Sequence, residues 1–262
     1  MSTSLQPLAA AKKPSFFWFA TETGRALFEW STTIPFKFFD RHKKDSADGH
    51  PVLLLPGFMA TDTSNKPMKK YLNKLGYEAH GWEIGRNLAK VEYIEQLLKR
   101  VQELHDSSGT KVSLIGWSLG GIYARQIAKE TPHLIRQVIT MGSPFGGITE
   151  RNNARWLHNI ITVGKGTQNV DPELLADIPI PPNVPFTAIY TKQDGIVPWE
   201  VCYERQESPL IQNIEVRGSH LGLGVNPTVL NIIADRLQYK EENWRRFEPN
   251  GLVEDLLFYP TS

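Results

Sequence analysis

Residues 111–129 read as a strand that runs without a spacer into a helix, and the joint is Gly116-Trp117-Ser118-Leu119-Gly120-Gly121. A serine at such a joint needs a sharp, strained turn, and flanking glycines relieve its crowding. The following helix points its positive end at the serine and favours negative charge developing beside it. A G-x-S-x-G string alone is weak: with glycine and serine each near ~7 % of residues, a chain this long gives about 0.1 chance matches. Its place between strand and helix gives it weight, because that context commits the chain to a sheet with helices packed behind it.

The rest of the chain keeps the same rhythm. Val52-Leu53-Leu54-Leu55 is a short apolar run, expected for a strand buried on both faces, and it ends at Pro56-Gly57. Residues 66–75 predict a helix closed by Gly76, 77–82 a strand, and 91–105 a helix with apolar residues at helical spacing. Further strands are expected at 134–141, 187–191 and 214–216, and a late helix at 227–239. Alternation of this kind predicts a mostly parallel central sheet with helices on both faces. Roughly forty residues separate the strands at 134–141 and 187–191, beginning with a helical stretch at 150–161 and ending in Pro179, Pro181, Pro182 and Pro185. A connection this long is uncommon unless it carries function.

A serine hydroxyl is a poor nucleophile at neutral pH without a base. With a serine at such an elbow, acid and histidine follow it in chain order, which leaves His133, His158 and His220. His133 lies at the wrong end of the sheet and His158 on the helix of the long connection. His220, in Arg217-Gly218-Ser219-His220-Leu221-Gly222, follows a late strand where a general base is needed. Asp194, in the Asp-Gly turn after the preceding strand, is the candidate acid; Asp171 and Asp177 are rivals within the connection. An oxyanion would be held by two backbone N–H groups, of Leu119 and of the loop Pro56-Gly57-Phe58-Met59, with Phe58 preferred and Met59 second.

The net charge of +1 gives the chain no bulk electrostatic reason to seek nucleic acid. The single cysteine, Cys202, cannot form an intrachain disulfide; no Cys/His cluster suggests a metal, and no cofactor is implied. Lys12-Lys13 precede only about five apolar residues, short of the ~7–15 of an export signal, so a cytoplasmic protein is expected. Residues 15–39 hold seven of the twelve phenylalanines. Between Ser15 and Trp30 the pattern predicts an amphipathic helix, with Phe17, Leu27, Phe28 and Trp30 as candidates for its buried side. The segment either covers the protein's own sheet or pocket, or makes a membrane-surface contact or a homodimer.

Residues 52–238 resemble the α/β-hydrolase superfamily, particularly bacterial lipases and esterases. The likeness rests on Leu-Leu-Pro-Gly-Phe at 54–58, Gly-Trp-Ser-Leu-Gly-Gly at 116–121, Gly-Ser-Pro-Phe-Gly-Gly at 142–147, Asp-Gly-Ile-Val-Pro at 194–198 and Gly-Ser-His at 218–220. Many relatives carry histidine where this chain has Pro56. The resemblance implies an α/β-hydrolase core at 51–145 and 186–262 and a small cap or lid insertion at 146–185; the aromatic-rich N-terminal extension at 1–50 lies outside it. It also implies a serine hydrolase acting on a hydrophobic carboxylic ester, a small-molecule substrate, with Ser118, Asp194 and His220 as triad. An acyltransferase with the same triad and a membrane- or partner-binding protein of the same fold are the alternatives. Met59, Trp117, Phe145 and Trp156 are candidates to line the acyl site, with plain core packing as the competing explanation.

Overall fold

The computed structural model describes residues 12–36, 47–146, 172–206 and 208–249. The elements in chain order are α1 (Phe16–Phe36), β1 (Pro51–Leu55), α2 (Asp62–Leu75), β2 (Glu78–Gly81), α3 (Tyr93–Ser108), β3 (Val112–Trp117) and α4 (Leu119–Glu130). They continue as β4 (Ile135–Met141), α5 (Pro172–Asp177), β5 (Phe186–Tyr190), β6 (Ile211–Glu215) and α6 (Pro227–Leu237). The expected helix at 150–161 lies outside the described residues.

Six strands form one sheet in the order β2-β1-β3-β4-β5-β6, every pairing parallel. Successive side chains alternate between its faces. Leu53 and Leu55 join Leu97, Val101 and Ile127 on the face covered by α3 and α4, while Val52 and Leu54 join Met68, Leu72, Val229 and Ile233 on the face covered by α2 and α6. That is why the first strand is apolar throughout. The order reverses at β1, whose two neighbours are β2 and β3, and at such a point a crevice opens beyond the carboxyl ends of the strands. Register levels those ends: Leu55 pairs with Gly116, Trp117 with Met141, and Tyr190 with Glu215.

Three elements depart from expectation, the first being β6, which begins at Ile211, three residues before the expected 214, and ends at Glu215. Helix α2 begins at Asp62, four residues early, with Pro67 inside it. Thr61 Oγ1 caps Thr63 N–H, and the Asp62 carboxylate accepts from Trp82 and Glu83 N–H beyond β2, so the start is set by contacts rather than by the proline. Helix α1 forms as predicted, with Ser15 Oγ accepting from Phe17 N–H, but its faces are reversed. Phe17, Leu27, Phe28 and Trp30 are exposed, and the buried positions are Glu22 and Glu29. The helix turns charge inward because main-chain N–H groups need acceptors there, as the site below makes plain.

Just before β1, His50 makes a second buried set of contacts. His50 is 1 % exposed; its Nδ1 lies 2.6 Å from Asp48 Oδ1 and its Nε2 2.8 Å from Ser113 Oγ. Arg136 closes on Asp48 at 2.7 Å. This Ser-His-Asp set sits at the amino ends of β1 and β3, the far edge from Ser118, with Ser113 wholly buried. It is a clip, unreachable by any substrate. His50→Ala leaves a buried hydroxyl unpaired and is expected to lower stability by about 1–3 kcal/mol in urea unfolding.

Candidate active site

Ser118 occupies the turn between β3 and α4 with φ 52° and ψ −122°, a conformation that a non-glycine residue keeps only under constraint from its surroundings. Its N–H is tied to Met141 O at 2.8 Å. The flanking glycines are demanded by space. A Cβ on Gly120 would stand 2.2 Å from Leu55 O, and one on Gly116 would stand 2.4 Å from Gly121 Cα. Helix α4 can therefore seat its first turn directly on β3 and on the end of β1, which projects Ser118 above the sheet edge.

Two backbone N–H groups lie near this joint, where a Cβ on Gly57 would stand 3.3 Å from Ser118 Cβ. Leu119 is the first residue of α4, and neither its N–H nor that of Phe58 has a partner among the described residues. Met59, the second choice for the loop donor, has φ 61° and gives its N–H to Asn87 O at 2.8 Å. Of these two candidates, Phe58 is the one whose N–H stays available. Asn87, wholly buried, also donates from Nδ2 to Pro56 O at 2.8 Å and from its N–H to Ala60 O at 2.9 Å, so it fixes the loop's shape. Nothing in the sequence around Asn87 signals that task, because it depends on a loop thirty residues away.

Asp194 and His220 meet above the ends of β5 and β6. Asp194 Oδ1 accepts Ile196 N–H at 2.8 Å and Val197 N–H at 2.7 Å, and Oδ2 accepts from His220 Nδ1 at 2.6 Å. With Nδ1 donating to the carboxylate, a neutral imidazole presents Nε2 as a base. Burial alone would push the imidazole's pKa down; the Asp194 charge and hydrogen bond, and then the Glu22 charge, outweigh it and hold the value above the ordinary 6.5. Trp117, beside the serine, donates from Nε1 to His220 O at 3.1 Å. Gly142, the residue after Met141, lies against the ring: a Cβ there would stand 3.0 Å from His220 Nδ1. Ser118 Oγ itself makes no hydrogen bond among the described residues; such bonds commonly tighten only with substrate in place. The arrangement supplies a strained hydroxyl, an oriented imidazole held by a carboxylate, and two unspent N–H groups at one sheet edge.

Residues 51–193, more than half of the chain, match the family model for palmitoyl protein thioesterase. The chain belongs to that family. The matched span holds Ser118 and the loop after β1 and stops one residue before Asp194. Among similar curated proteins, a triacylglycerol lipase of Pseudarthrobacter phenanthrenivorans is 32 % identical over 119 residues, which are 39 % of this chain and 35 % of the lipase. One from Burkholderia plantarii is 32 % identical over 119 residues and 31 % of its length. The match thus spans about a third of either relative. Among solved structures, Aspergillus fumigatus lipase B aligns with TM-score 0.56 and 17 % identity over 73 % of this chain and 53 % of the lipase. Mouse alpha/beta hydrolase domain-containing protein 10 gives 0.51 and 18 % over 74 % and 92 %, and the thioesterase domain from the curacin biosynthetic pathway gives 0.50 and 14 % over 73 % and 92 %. At these identities the likeness is one of fold: the α/β-hydrolase fold.

Of this family member's four acyl-lining candidates, Met59 is exposed and Trp117 is half-buried with its ring centroid 6.3 Å from that of His220. Phe145 is placed in the core, edge-on to Phe186 and beneath the Arg125 guanidinium. Trp156 lies outside the described residues. The seam under Ser118 carries a direct test. Gly120→Ala is expected to cost roughly 1–3 kcal/mol in chemical unfolding and to lower turnover by about 10²-fold, because the elbow must shift off Leu55 O. Gly224→Ala, whose Cβ would meet nothing within 4 Å, should match the wild type in both.

Proposed function

We propose that this protein is a serine hydrolase that cleaves carboxylic esters of hydrophobic acyl groups through an acyl-enzyme on Ser118. The observation that carries the reading is the buried Asp194–His220 pair, 2.6 Å apart, at the sheet edge where Ser118 is held at positive φ. In this reading Ser118 Oγ attacks the acyl carbonyl as its proton passes to His220 Nε2. The carbonyl oxygen, now negative, takes the Phe58 and Leu119 N–H groups. Collapse of the tetrahedral adduct expels the alcohol or thiol, which receives the proton from His220. Water, deprotonated by His220, then attacks the acyl-serine; the acid departs and Ser118 recovers its proton. The family's thioesterase description supports sulfur esters and the lipase relatives support oxygen esters, and the chemistry is common to both.

Turnover of p-nitrophenyl esters and acyl-thioesters of increasing chain length tests the reading. Ser118→Ala should stay folded and lose on the order of 10³–10⁶ in rate. A folded wild type inert toward every oxygen and sulfur ester would overturn it. The pH profile is a separate check. Protonated Nε2 cannot take the serine proton, so kcat/KM falls as pH drops through the free enzyme's imidazole pKa, which lies above 6.5. A profile flat from pH 5 to 8 would remove His220 from the role of base.

A further inference from the structure

Helix α1 stands outside the resemblance to hydrolases and outside the span matched by the family model, which begins at residue 51. Yet its two buried carboxylates, one every two turns, reach the loops that carry Asp194 and His220. Glu22 Oε1 accepts Gly195 N–H at 2.8 Å and His220 N–H at 3.2 Å, and Oε2 accepts Leu221 N–H at 3.1 Å. Glu29 Oε1 accepts both the N–H and the hydroxyl of Ser219 at 2.7 Å, and Oε2 accepts from Asn226 Nδ2 at 2.8 Å. Arg25, between them, pairs with Glu22 at 3.0 Å and donates to Gly218 O at 3.1 Å.

The loops are shaped for this helix. A Cβ on Gly195 would stand 2.5 Å from Phe19 N, and one on Gly222 would stand 2.4 Å from Glu29 Oε2. Buried carboxylates are costly unless donors surround them. Here the donors are the main-chain N–H groups of the residue after the acid, of the base itself and of the residues on either side of it. A helix that only covered apolar surface would bury its aromatic residues, and this one exposes Phe16, Phe17, Phe19, Phe28 and Trp30.

We propose that α1 is part of the catalytic apparatus, with Glu22 and Glu29 as positioning residues that hold the acid loop and the base loop in register and with Glu22 placing a second negative charge beside the imidazole. The inference rests on the hydrolase reading for its meaning, though not for its measurement. The molecule contains its own comparison. Asp48–His50 and Asp194–His220 both hold a carboxylate oxygen 2.6 Å from Nδ1 of a buried imidazole, with Asp48 exposed and Asp194 buried; His50 is pushed down by burial, with Arg136 adding to the depression, whereas His220 is held up. The third charged group has opposite sign in the two sites. Around His220 the charged and titratable groups are Asp194, Glu22, Glu29 and Arg25, with the Cys202 thiol beside Asp194 and itself pushed up by burial.

Deleting α1 would strip every one of these bonds at once, so single charge-neutralising variants are the informative ones. The imidazole titration of His220, followed by NMR in full-length protein, reads the pair directly. In Glu22→Gln the titration and the acidic limb of kcat/KM should both move to lower pH, with kcat down about 10–100-fold as the loops lose one acceptor. In Arg25→Gln, which strips the cation from Glu22, both should move to higher pH. Glu29→Gln should lower kcat with less effect on the titration, because its partners are Ser219 and Asn226 rather than His220. Phe28→Ser, on the exposed face, should behave as wild type throughout and reports on the helix itself. An unmoved titration in Glu22→Gln, or shifts of the same sign in the Glu22 and Arg25 variants, overturns the inference. Should Glu22→Gln not fold, the sign of the Arg25→Gln shift decides. Absence of turnover toward every ester would strike the proposed function alone, since the titration needs no substrate.

Discussion

The contact on which the site depends is the seating of α4 on the ends of β3 and β1. Gly116 and Gly120 let helix backbone approach strand backbone to a distance no side chain permits. That approach does three things. It forces Ser118 into positive φ and lifts its hydroxyl out of the sheet plane. It brings the Leu119 N–H beside the loop after β1, where Phe58 N–H is also unspent. It also aims the helix's positive end at the point where an oxyanion would form. The strain at Ser118 is balanced by the buried apolar layers on both faces of the sheet, which hold β1, β3 and β4 in register beneath it.

Composition of a triad is not what makes one. The described residues include two Ser-His-Asp sets, and the one at residues 48, 50 and 113 has both hydrogen bonds closed, at 2.6 and 2.8 Å. Its serine is wholly buried in a strand, out of a substrate's reach. The set at the other edge has a serine on a strained turn, two unspent N–H groups beside it and a histidine whose local charge favours protonation. Location in the sheet and neighbouring charge separate a clip from a candidate site.

Much of this was legible in residues. The apolar run at 52–55, the helical spacing at 91–105 and the glycines at 116 and 120 each encode a local constraint with one inexpensive solution, and those elements formed where periodicity placed them. Helix α1 was legible as a helix but not in its orientation. Hydrophobic periodicity assumes that the apolar face meets the core, and it fails where the neighbouring surface is a row of main-chain N–H groups needing acceptors. Glu22 and Glu29 answer that need from nearly two hundred residues away, and Asn87 does the same for the loop after β1. Such pairings leave no local trace.

The sequence by itself determined the parallel sheet, the strand-to-helix elbow and the serine at its apex, because these follow from short-range sterics and from which stretches must leave water. Only the tertiary structure decided which histidine among several stands in an acidic environment, which backbone N–H groups stay unspent, and that an N-terminal helix braces the base. Those outcomes depend on charge and hydrogen-bond donors brought together by the fold, and electrostatic environment is a property of arrangement in space rather than of order along a chain.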